Sequence, residues 1–133
     1  MINRVEKLSL LSEMISFAKN ESHLKPIEYN FLLAIAKQLE ISREDFDYLI
    51  EHPINYIHLE SHSERIVQFH RLVLLMNIDE DNSHKEKIKL HNFGLRMGLS
   101  HESINKVLYL MESFPNKIVP PDVLIDIFKV QYN

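Results

Sequence analysis

Polar and apolar positions alternate with a helical period along most of this chain. Over residues 4–19, Leu8, Leu11, Met14, Ile15 and Ala18 recur at the three- and four-residue spacing of one helix face, and Asn3 with Glu6 makes a capping-box start. The polar stretch 20–25 breaks the pattern. Pro26 then suits the first position of a second helix, whose inward side is Phe31, Leu32, Ile35 and Leu39. Ser42 is placed to cap a third, short helix carrying Phe46, Leu49 and Ile50, which ends by His52-Pro53.

The same grammar returns about 58 residues later. Ser61 and Glu64 stand for Asn3 and Glu6, while Ile66, Phe69, Leu72, Val73 and Met76 repeat the first apolar stripe. A polar break at 79–83 follows. Leu90, Phe93, Met97 and Leu99 then match Leu32, Ile35, Leu39 and Ile41, with Gly98 ending that helix. Ser100 matches Ser42 as a cap, ahead of Ile104, Val107 and Leu108. Identical residues are few (Glu6/Glu64, Glu28/Glu86, Leu32/Leu90, Ser42/Ser100 and Glu44/Glu102), so identity alone decides nothing. Caps, breaks and apolar positions depend on different physics, and their agreement in one ungapped register points to an internal duplication.

The spacing therefore predicts an all-α domain over 1–133, with repeat one at about 3–51, a linker at 52–60 and repeat two at about 61–109. Beyond Phe114-Pro115, Pro120-Pro121 should start a further helix over about 121–131, with Val123, Leu124, Ile127 and Phe128 inward. That makes six or seven helices, the repeats packing about a pseudo-twofold axis.

Composition narrows the function. Two glycines and five prolines leave little punctuation for the tight turns of an all-β fold. The net charge of -4 argues against nucleic acid as a partner, because a phosphate backbone calls for a basic face. The absence of cysteine removes disulfides, thiolate zinc sites and cysteine nucleophiles, and fits a reducing compartment. Glu6 and Glu13 interrupt the first apolar stripe, so it does not read as a signal peptide, and no window approaches the roughly 20 uncharged apolar residues of a membrane helix. The expectation is a cytoplasmic protein without membrane insertion.

The polar breaks are where chemistry could sit. Glu21 opens the first and Glu28 follows seven positions later; Asp79 and Glu86 repeat that spacing in the second. Each pair leads into an apolar helix ending in Leu39-Glu40-Ile41-Ser42 or Met97-Gly98-Leu99-Ser100. This arrangement resembles the tellurite-resistance TerB-like family, whose superfamily includes the N-terminal domain of a DnaJ-like membrane co-chaperone. The family unit reads roughly A-x-A-D-G-x-I-x-x-x-E, an apolar helix, then L-G-L-S. The chain departs from it where the glycine after the acid is Ser22 or Glu80, and where Glu21 replaces Asp.

The resemblance implies a non-enzymatic stress-response module with an acidic cluster at Glu21, Glu28, Asp79 and Glu86. That cluster would bind a divalent cation (calcium, magnesium or manganese), a protein partner, or both. A homodimer is compatible with the sequence. The competing reading is a structural or adaptor domain in which the acids only cap helices. A carboxylate in a first helical turn is worth on the order of 0.5–1 kcal/mol without any ligand.

Other motifs are weaker. Asp79-x-Asp81-x-Ser83 opens like an EF-hand loop, but His84 and Leu90 stand where glycine and the bidentate glutamate belong. His58 and His62 are four apart, yet a cap at Ser61 puts His58 outside the helix, so both read as solvent-facing. His70 and His91 fall at helix-face edges, and Lys85, Lys87 and Lys89 read as a solvated face. No nucleophile elbow, P-loop or glycine-rich dinucleotide loop is present.

Overall fold

The computed structural model describes residues 2–19, 23–78 and 84–129. Among them are seven α-helices and no strand, as the periodicity predicts. The chain divides into two compact units, Met1–His58 and Leu59–Asn133, parting inside the stretch expected to be a linker.

The first unit holds α1 (Arg4–Ala18), α2 (Pro26–Gln38) and α3 (Arg43–Glu51), each packed against the other two. Asn3 caps α1 with a complete capping box: its Oδ1 accepts from Glu6 N at 2.8 Å, and its own N–H donates to Glu6 Oε1 at 2.9 Å. Ser42 caps α3, accepting from Asp45 N at 3.2 Å. Leu11, Met14, Phe17, Leu32 and Phe46 are fully buried.

Burial on α1 is wider than one stripe. Leu10 and Phe17 are buried with Ser9, Ser12 and Glu13, whereas Leu8, an expected core residue, is only half-buried. Two of the polar residues have an evident use. Ser9 Oγ accepts from Ile57 N at 2.8 Å and lies 3.3 Å from Asn55 O. Ser12 Oγ accepts from Ile54 N at 3.0 Å and lies 3.4 Å from Ile54 O. The hydroxyls thus satisfy backbone groups of the segment after α3, which lies in neither helix nor strand. Much of the expected linker is pinned to α1.

The second unit holds α4 (His62–Asn77), α5 (His84–Arg96), α6 (His101–Leu110) and α7 (Pro121–Lys129). Short 3₁₀ turns at Met111–Ser113 and Pro115–Lys117 join α6 to the segment before α7. Ser61 and Ser100 cap α4 and α6, accepting from Glu64 N at 3.3 Å and Ser103 N at 3.1 Å. All five residues expected inside α4 are buried: Ile66, Phe69, Leu72, Val73 and Met76. Helix α5 packs on α4 and α6, and α7 closes against the same two. Leu124, Ile127 and Phe128 are buried there, with Phe128 edge-on to Phe69 at a centroid distance of 5.7 Å. Phe31, Ile50, Phe93, Leu108 and Val123, also expected inside, are half-buried at the margins.

Three helices of one unit begin 58 residues before three of the other: Arg4 and His62, Pro26 and His84, Arg43 and His101. The turns after α2 and α5 share one hydrogen-bond pattern. Ile41 N donates to Ala36 O at 2.8 Å and Glu40 N to Lys37 O at 3.1 Å; Leu99 N donates to Gly94 O at 3.1 Å and Gly98 N to Leu95 O at 3.0 Å. This is the Schellman closure, which needs a left-handed residue one place beyond the cap. Ile41 and Leu99, the residues after it, are buried in both cases.

Candidate functional site

The two polar breaks carry the residues singled out for metal or partner binding. Glu21 and Asp79 lie outside the described residues, as do Asp81 and Ser83 of the EF-hand-like run. Glu28 and Glu86 are described, each at the third position of its helix and each in a different unit.

Glu28 is 9 % exposed, and its Oε1 accepts from Lys25 N at 2.9 Å. Pro26 sits at the first helical position, where no N–H is needed, so Glu28 supplies the reciprocal half of a capping box. Burial of this carboxylate is compatible with its hydrogen bond to the helix start. Glu86 is half-buried, with Oε2 3.5 Å from Lys89 Nζ one turn along α5. Among the described residues, no three His, Asp or Glu side chains group as a metal site.

The lysines expected on a solvated face divide. Lys85 is exposed, but Lys87 pairs with Glu112 of the 3₁₀ turn at 3.4 Å and Lys89 with Glu86. These are partly exposed pairs, each worth at most about 1 kcal/mol.

The histidines are less uniform than the sequence suggests. His58 is exposed, its Nδ1 3.3 Å from the Tyr56 hydroxyl. His62 takes the first position of α4 as expected, yet it is half-buried and edge-on to Phe128 at 6.5 Å. The sequence placed it in solvent because nothing local shows that α7 returns to cover the start of α4. Desolvation lowers the His62 pKa, helped by the Arg65 charge and opposed by the Phe128 backbone. His70 is half-buried, and among the described residues its Nε2 has no hydrogen-bond partner. Burial lowers its pKa, and neighbouring Arg71 adds to that. Arg71 Nη1 in turn donates to Oε1 of fully buried Gln68 at 3.1 Å.

A further pair joins two helices. His91 Nε2 of α5 lies 2.8 Å from His101 Nδ1 at the start of α6, the rings edge-on with centroids 4.7 Å apart. The amide nitrogen of Asn105 is 3.1 Å from the other His101 ring nitrogen. An amide nitrogen can only donate, so with neutral rings the chain runs from Asn105 to His101 to His91. Desolvation lowers the His91 pKa, and His101 contributes in the same direction. Ten residues separate the partners, and only the turn through Gly98 brings them together, so no helical spacing announces the pair.

Among the described residues no helix is long and apolar enough to cross a membrane. No family model, curated protein or solved structure matches the chain.

Proposed function

We propose that this chain is a non-enzymatic, TerB-like binding module of the stress-response type. The observation that carries the reading is the paired turn after α2 and α5. The L-G-L-S ending of the family unit has a physical meaning there: a left-handed residue at Glu40 or Gly98, a buried apolar residue at Ile41 or Leu99, and a capping serine at Ser42 or Ser100. The shared 58-residue offset of the helix starts supports an internal duplication. The single pseudo-twofold domain belongs to the same proposal through the resemblance alone.

In this reading Glu21, Glu28, Asp79 and Glu86 are the ligands, and the cation is calcium, magnesium or manganese, since those ions prefer oxygen. A protein partner at the same acidic turns is the companion role. Millimolar calcium or manganese should raise the melting temperature, as a ligand of the native state must. The double variant Glu28→Gln, Glu86→Gln should melt much as the wild type without metal and lose the increment with it. If none of the three cations moves the wild-type melt, the cation site is lost.

A second reading has a specific observation behind it. The 2.9 Å bond from Lys25 N to Glu28 Oε1 and the Lys89–Glu86 pair give both described acids a structural use. They favour an adaptor domain with capped helices and no metal. The same melts separate the two readings.

A further inference from the structure

We propose that His91 and His101 form a two-imidazole site for a borderline divalent transition ion, with zinc as the reference case. Their facing nitrogens come from two packed helices of one unit and stand 2.8 Å apart. Zinc–imidazole bonds of about 2.0–2.1 Å at a tetrahedral angle put neighbouring ligand nitrogens about 3.3 Å apart, so the rings need part by only about 0.5 Å. His101 is exposed at the first position of α6 and His91 is half-buried beside it, so an ion can reach both. Water, or a donor from a bound partner, completes the coordination.

The rest of the cluster decides which ion fits. Neither contact at this pair is made by a carboxylate, and two imidazoles are a poor match for calcium or magnesium but a good one for zinc, nickel or copper. Asn105 is a positioning residue. Rotating its amide would present oxygen to His101 Nε2–H, holding the tautomer whose Nδ1 lone pair faces the ion. Neutral His91 accepts at Nε2 in the free pair, so it already carries its proton on Nδ1 and offers Nε2 unchanged. His101 moves its proton from Nδ1 to Nε2. The ion thus replaces the proton that the two rings share, with no net proton release from the neutral pair. The site is separate from the acidic turns and calls for a different class of ion, so either proposal can fail alone.

Titration calorimetry of the whole chain with zinc chloride tests it. The wild type should take one equivalent at this site, and nickel should follow. His101→Ala, at an exposed position, should remove that equivalent while its circular dichroism stays that of the wild type. Asn105→Ala should weaken binding about tenfold, the lower end of what an outer hydrogen-bond partner contributes. His52→Ala, which alters an exposed histidine stacked on Tyr48 in the other unit, should change nothing. If His91→Ala does not fold, the ring-proton signals of wild-type His91 and His101 report instead, and both should shift on adding zinc. Binding unaltered in His101→Ala, or no uptake by the wild type, overturns the site.

Discussion

Glu40 and Gly98 hold the same backbone conformation, φ 61° and 84°, one place beyond the caps of α2 and α5. Glycine meets this demand without strain. Glutamate does not, since its Cβ crowds the following carbonyl. The buried Ile41 and the capping Ser42 that follow hold the strained residue in place.

Glu40→Gly is therefore expected to stabilise the protein by about 0.5–1 kcal/mol, the relief of strain being partly offset by a freer unfolded chain. The substitution also removes the Lys7–Glu40 ion pair at 3.9 Å, which is too exposed to matter. Gly98→Ala should cost about 1 kcal/mol or more. Urea unfolding of both variants checks the pair; a destabilised Glu40→Gly would count against strain at that turn.

Ser12 is the second test. Replacing it with alanine removes the acceptor of Ile54 N–H, and leaving that donor unsatisfied should cost about 1–3 kcal/mol. Hydrogen exchange should speed up at Ile54 first, while the amides inside α2 keep their protection. Uniform acceleration would mean that the serine acts on the whole unit.

Gly94 faces a tight contact. A Cβ built there meets Ile104 Cδ1 at 2.7 Å and Phe69 Cε1 at 3.0 Å. Overpacking of this kind costs about 1–3 kcal/mol, against a helix-propensity gain of about 1 kcal/mol. Gly94→Ala should be destabilising on balance. Ile104→Val removes the nearest atom, so the double variant should be more stable than the sum of the single effects allows. Additive losses would place the clash elsewhere.

Acid should weaken the second unit before the first. His62, His70 and His91 all have lowered pKa values, and all lie beyond residue 59. A histidine whose folded pKa is depressed takes its proton more readily when unfolded. Its contribution is complete above about pH 6.5 and is lost as pH falls below that toward the folded pKa. Exchange protection in α4 to α7 should drop between about pH 7 and 5 while α1 to α3 hold. Replacing His70 with leucine should flatten that dependence, and an unchanged slope would remove His70 from the explanation.

Local physics made much of the fold readable. Caps at Asn3, Ser42, Ser61 and Ser100 depend on residues three apart, and the α4 stripe on a period of 3.6, so both can be read without knowing the partner surface. Helix α1 shows where this fails. Ser9 and Ser12 look like an outer face until a segment more than forty residues away is seen to use their hydroxyls. The candidate site divides in the same way. Glu28 could be read as a cap from its place behind Pro26, whereas the His91–His101 contact depends on how a turn aims two helices. Glu21 and Asp79 fall outside the described residues.

The closing position of α7 also sets an order of events during synthesis. Residues 1–58 contain every partner that α1, α2 and α3 use within their own unit, so that unit can assemble once they have left the ribosome. The second unit cannot. Phe69, made early, has its aromatic neighbour at Phe128, so α4 must wait with part of its apolar face uncovered until some sixty further residues have emerged. At ribosomal rates of about 5–20 residues per second, that wait lasts seconds, long enough for a chaperone to find α4 first.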